Sequence, residues 1–117
     1  MRTRTGAADR NAGGELKDVT AQLALVQYQS DAIVSRILLK KGGGSVTAFA
    51  FDVGQALSEH RTPFEALMLV IEGEAEILVA DTAHRVSAGQ LVRLPGGEPH
   101  AVKALTQAKM ILILLRA

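Results

Sequence analysis

Cysteine is absent from the sequence, which rules out a disulfide framework, a thiolate nucleophile and a cysteine-ligated zinc or iron–sulfur site. Any metal would have to rest on His, carboxylate or hydroxyl groups. An excess of charge is missing too: 13 basic and 12 acidic residues leave a formal net charge of +1. That gives no large field to steer a nucleic acid or an anionic membrane, although Arg2, Arg4 and Arg10 make the first residues locally basic. Long apolar runs are also lacking. The longest, Met110 to Leu115, falls far short of the roughly 20 residues of a membrane helix, and the opening stretch MRTRTGAADRNAGG has no apolar h-region. The expectation is a cytoplasmic protein with no nucleic-acid or membrane partner.

What is present suits one small domain, since 117 residues with 48% hydrophobic content are too few for two independent cores. Residues 1–15 are rich in Gly, Ala, Arg and Thr and lack periodic apolar positions, so they read as a flexible tail before a single domain over 16–117. From Leu16 to Tyr28 the apolar positions Leu16, Val19, Leu23 and Val26 recur every three or four residues, which predicts a short helix against the core. After Ser30 the texture becomes short β-branched and aliphatic stretches divided by turn residues, as in a sandwich or barrel. Strands are expected at 33–40, 45–52, 66–71, 75–79, 83–86, 91–94, 101–104 and 108–116. Gly42-Gly43-Gly44, Gly73, Ala80-Asp81, Ala88-Gly89 and Pro95-Gly96-Gly97 supply the reversals. Leu67 to Ile71 and Met110 to Leu115 are apolar at every position, where a half-exposed strand would alternate. Their outer faces should therefore be covered, and a homodimer through an outer sheet face is the expected cover, the alternative being the N-terminal segment.

Of the three histidines, His60 and His100 lie beside tight Gly and Pro turns, where barrel loops present functional side chains. His100 closes the series Gly89, Pro95, Gly97, His100, and His60 lies between Gly54 and Gly73. The first of these series resembles the second motif of the cupin family, G-x5-P-x-G-x2-H-x3-N, with Ala104 where the closing Asn stands. The stretch from Gly54 to Gly73 resembles the first motif, G-x5-H-x-H-x3-4-E-x6-G, with Thr62 at the second His and Ala66 at the Glu. The resemblance covers roughly residues 30–117. It implies an all-β double-stranded β-helix, or jelly-roll barrel, preceded here by the short N-terminal helix, and it implies that His100 converges on His60 and Thr62 across 40 residues of chain.

Metal-binding members of the family carry three His and one Glu, and two of those four are replaced here. Glu65 could complete a set with His60 and His100 if Pro63 breaks strand parity, although counted back from Gly73 it stands one position off the Glu slot. His84 is a further candidate ligand, more readily read as exposed. The metals that would suit such a set are Fe, Mn, Ni or Zn. Two functions follow from this reading. One is a small-molecule-binding barrel whose pocket is lined by Phe49, Phe51, Leu67 and Met68 and made polar by His60, Thr62 and His100. The other is a metal-dependent dioxygenase or isomerase using His60, His100 and Glu65. Sugar-epimerase chemistry of the family's kind also needs a Tyr, and Tyr28, the sole tyrosine, lies outside both motifs.

Overall fold

The computed structural model describes residues 9–11 and 13–116. Among these, ten strands form two sheets. The larger runs β1 (Asp9–Asn11), β2 (Ile33–Lys41), β3 (Gly44–Phe51), β10 (Ala108–Leu115), β5 (Glu65–Glu72) and β8 (Leu91–Leu94) in spatial order. The smaller runs β4 (Ala56–His60), β9 (His100–Ala104), β6 (Glu74–Val79) and β7 (Thr82–Ser87). All pairings are antiparallel except β1 with β2. The all-β jelly roll expected from the resemblance is thus the fold, and no helix among the described residues is long and apolar enough to cross a membrane.

Alternation on the strands builds the core between the sheets. The larger sheet contributes Ile33, Phe51, Ala66, Met68, Val70 and Met110, and the smaller contributes Ala75, Ile77, Val86, Val102 and Ala104. Gly73, at the corner between β5 and β6, has φ +78°, and an added Cβ would run into the Gln107 carbonyl oxygen. A side chain there meets both a strained torsion and backbone that cannot move aside.

The N-terminal segment is not the predicted helix. Only Gln22–Ala24 forms a single 3-10 turn; the remainder is an irregular strap across the outer face of the larger sheet. The strap buries two consecutive residues, Leu25 and Val26, against Val34, Leu38, Ala48 and Ala50. Burying neighbours in sequence is not a helical pattern, and three members of the expected helical stripe, Leu16, Val19 and Leu23, are exposed. Side chains of the sheet hold the strap from beneath. Arg36 donates to the carbonyls of Gly14 (2.7 Å) and Leu25 (3.1 Å). Lys109, buried in spite of its charge, donates from Nζ to the Leu23 carbonyl at 2.6 Å and lies over the Tyr28 ring. Tyr28 in turn donates its hydroxyl to Glu72 at 2.6 Å, and burial together with that carboxylate holds the phenol well above its usual pKa. Of the stretch read as a tail, residues 1–8 and 12 lie outside the described residues, while Asp9–Asn11 pair with Ile33, Val34 and Ser35.

Candidate functional site: two histidines at one end of the barrel

His100 opens β9, and regular alternation with Val102 and Ala104 turns all three toward the barrel interior. His60 reaches the same face by an irregularity. In the β4–β9 pairing Leu57 faces Val102 and His60 faces His100, so three residues advance on β4 for two on β9. Strict alternation would set Leu57 and His60 on opposite faces. The extra residue of the bulge restores them to one face. The rings then meet edge to face, with centroids 4.3 Å apart and an interplanar angle of 69°.

The two imidazoles differ in surroundings. His60 is exposed and its Nδ1 lies 3.0 Å from the Ser58 carbonyl oxygen. His100 is 7% exposed, and its Nδ1 is buried without a hydrogen-bond partner. Burial lowers the His100 pKa below its ordinary 6.5, and the charge of a protonated His60 lowers it further. The Glu98 backbone carbonyl opposes this. The site therefore favours a neutral His100 beside a solvent-facing His60.

The other expected residues divide by strand parity. Phe49, Phe51 and Met68 stand on the inner face; the two phenylalanine rings are 5.9 Å apart, and Phe51 and Met68 are fully packed in the core. Leu67 does not join them. It alternates with the buried Ala66 and Met68 and faces outward, 38% exposed. Thr62 lies just past β4, where its Oγ1 accepts from the Phe64 N–H at 2.9 Å and its carbonyl accepts from Gly97 N–H at 2.7 Å. The second of these bonds ties the exit of β4 to the turn that leads into His100.

Glu65 does not reach the histidines. It shares the outward parity of Leu67, forms a 2.9 Å ion pair with Arg93 and accepts from the Gly96 N–H at 2.8 Å. These donors, the backbone N–H first, hold its carboxyl below the usual range. Pro63 leaves the parity of β5 unchanged, so the proposed break does not occur. His84 lies on β7, opposite Ile77 and beyond β6 from β9, in a cleft with Arg85, Val86, Gln90, Leu91 and Val92. Among the described residues no three His, Asp or Glu side chains gather where a metal could be held. Two imidazoles alone do not supply the two-His, one-carboxylate face of a non-haem iron site or a closed zinc set. The residues present do not fit the family's metal.

Two inward side chains escaped the sequence reading. Ser45 and Thr47 pair with Leu114 and Leu112, which pack against the core, and so add hydroxyls to the inner wall at the end of the barrel where β4 exits. Their signal was available: Ser45, Thr47, Phe49 and Phe51 alternate with Val46, Ala48 and Ala50.

Two facing sheets around a packed core, with a histidine pair at one end, define the class of small double-stranded β-helix barrels. The cupin domain family model matches residues 48–115, and the chain belongs to that family. Among solved structures it is similar to a conserved protein of unknown function from Streptococcus pyogenes (28% identity, TM-score 0.75, covering 92% of this chain and 98% of that one). It is also similar to a cupin 2 conserved barrel domain protein from Leptotrichia buccalis (37% identity, TM-score 0.77, covering 80% of this chain and 46% of that one). A cupin superfamily protein from Desulfitobacterium hafniense shares the fold at 22% identity (TM-score 0.81, covering 88% and 95%). The chain matches none of the functionally curated proteins.

Proposed function

We propose that this chain is a small-molecule-binding cupin whose ligand enters beside His60 and His100, without a resident catalytic metal. The observation that carries the reading is the buried, unpartnered Nδ1 of His100 next to the exposed His60 ring. A buried polar atom left without a partner costs about 1–3 kcal/mol, and a bound hydroxyl, amide or carbonyl group could relieve that cost. The inner wall offers apolar surface from Phe49 and hydroxyls from Ser45 and Thr47, a mixture suited to a small molecule with an apolar body and a polar end.

The test is a thermal-shift screen of small alcohols, amides and carboxylic acids against the full chain, repeated on His100→Phe and His60→Phe. Stabilisation by at least one compound, weakened in both folded variants, is the expected result. Elemental analysis of protein purified without chelator or nickel resin runs beside it. Near-stoichiometric metal, lost in a folded His60→Ala, His100→Ala variant, would overturn the reading in favour of a metalloenzyme.

A further inference from the structure

The inward row of β10 ends on a cation. Met110, Leu112 and Leu114 pack against the core, and Arg116 stands at the next position of the same two-residue period. Its backbone N–H continues the ladder by donating to the Gly43 carbonyl at 2.9 Å. An arginine thus takes an inward, half-buried place at the mouth of the barrel. Its guanidinium lies over the Phe64 ring, 5.4 Å from the centroid. Arg85 and Arg93 are committed to Glu74 and Glu65, and Arg61 donates to the Gly97 carbonyl at 3.5 Å. Among the described residues the Arg116 guanidinium meets no carboxylate or carbonyl.

The histidines open on the same mouth. The chain from His60 through Thr62 to Phe64 crosses it from the smaller sheet to the larger, a span of at most about 14 Å when extended. Thr62 is bonded midway to Gly97, in the turn that leads into His100. The guanidinium and the buried, unpartnered Nδ1 of His100 therefore belong to opposite walls of one opening, in sheets about 10 Å apart.

We propose that Arg116 holds a carboxylate of the ligand, and that the ligand is a small carboxylic acid with a hydroxyl or carbonyl group at the end that reaches His100. This rests on the ligand-binding reading above and names its substrate class. The planar fork of a guanidinium matches a carboxylate with two parallel hydrogen bonds. Stacking over Phe64 orients that fork and uses none of its in-plane N–H donors. Leu112, Leu114 and Phe49 supply apolar surface between the two polar ends. A single fixed positive charge suits a monoanion.

Isothermal titration calorimetry of the full chain tests it, with circular dichroism confirming that each variant folds. The probes are ω-hydroxybutyrate and ω-hydroxyhexanoate, set against the diols and hydroxyamides of the same lengths. The acids are expected to bind about 10- to 100-fold more tightly than their uncharged counterparts. Arg116→Gln should remove that advantage and leave binding of the diols in place, and Arg116→Lys should fall between, keeping the charge but losing the fork. Arg61→Gln, which removes an exposed charge nearby, should change nothing. A loss in Arg61→Gln equal to that in Arg116→Gln would reduce the effect to overall charge and overturn the proposal. So would diols or amides that bind as tightly as the acids, a result that leaves the ligand-binding reading standing. Acid binding that survives both His60→Phe and His100→Phe would place the anion away from the histidines and overturn both readings, as would a panel of acids, diols and amides in which nothing binds.

Discussion

β9 and β4 deliver one histidine each to the same spot, by different means. On β9 the inward residues are His100, Val102 and Ala104, all buried, at every second position. On β4 Leu57 is half-buried, its neighbours are exposed, and His60 arrives on the inner face through a bulge. A regular strand fixes its side chains by parity and packing together. A bulged edge strand spends one residue to re-aim a single side chain, leaving it in contact with solvent. The difference makes β9 the enclosed half of the site and β4 the solvent-facing half.

The largest way to sharpen this contrast is at the cross-strand pair Leu57 and Val102. Val102→Ala removes two methyl groups from a 2% exposed residue and should cost about 2 kcal/mol of unfolding free energy. Leu57→Ala, although it removes more atoms, should cost about half as much. Chemical denaturation of both variants checks the ratio, and equal losses would make the two strands equivalent.

Acid should separate the histidines next. His100 is depressed below 6.5, chiefly by burial, so the unfolded chain binds its proton first as pH falls. Stability is fully present above about pH 7 and declines through 6.5 toward the lower folded-state value. His100→Gln should flatten that part of the stability curve. In His60→Gln the His100 pKa should rise, because the neighbouring charge is gone, yet stay below 6.5, because burial remains. Imidazole proton chemical shifts followed over pH read both results; a fully normal value in His60→Gln would mean that charge, not burial, governs the site.

The smallest expected effect is deletion of Glu59. It removes the extra residue while leaving Leu57 opposite Val102 and His60 opposite His100, so the loss should be within about 1 kcal/mol. A nuclear Overhauser contact between the two rings should survive. Loss of that contact with the fold intact would show that the bulge itself orients His60.

The same contrast explains what the sequence disclosed. Strands with unbroken alternation or continuous apolar character, such as β9 and β10, were legible, as was the turn chemistry of Gly73 and Gly97. β4 was not anticipated as a strand, because Ser58, Glu59 and His60 are exposed and the bulge interrupts the two-residue period. Convergence of His60 and His100 followed from the family motifs rather than from their spacing. Leu67 was misplaced because, in a run as apolar as Leu67 to Ile71, hydropathy cannot say which parity faces inward, and Glu65 because the parity break considered at Pro63 does not occur. The strap read as a helix because Leu16, Val19, Leu23 and Val26 fall at three- and four-residue spacing, yet of these four only Val26 is buried, so the spacing reflects no packed face.

Lys109 has a consequence of another kind. Its ammonium group is enclosed between the Leu23 carbonyl and the Tyr28 ring, whereas Lys40, Lys41 and Lys103 are exposed. An amine-acylating reagent meets those three at once but reaches Lys109 only when the strap lifts. The chain thus carries an internal clock for local opening, one whose rate of acylation, set against that of the exposed lysines, counts departures of the strap without any added label.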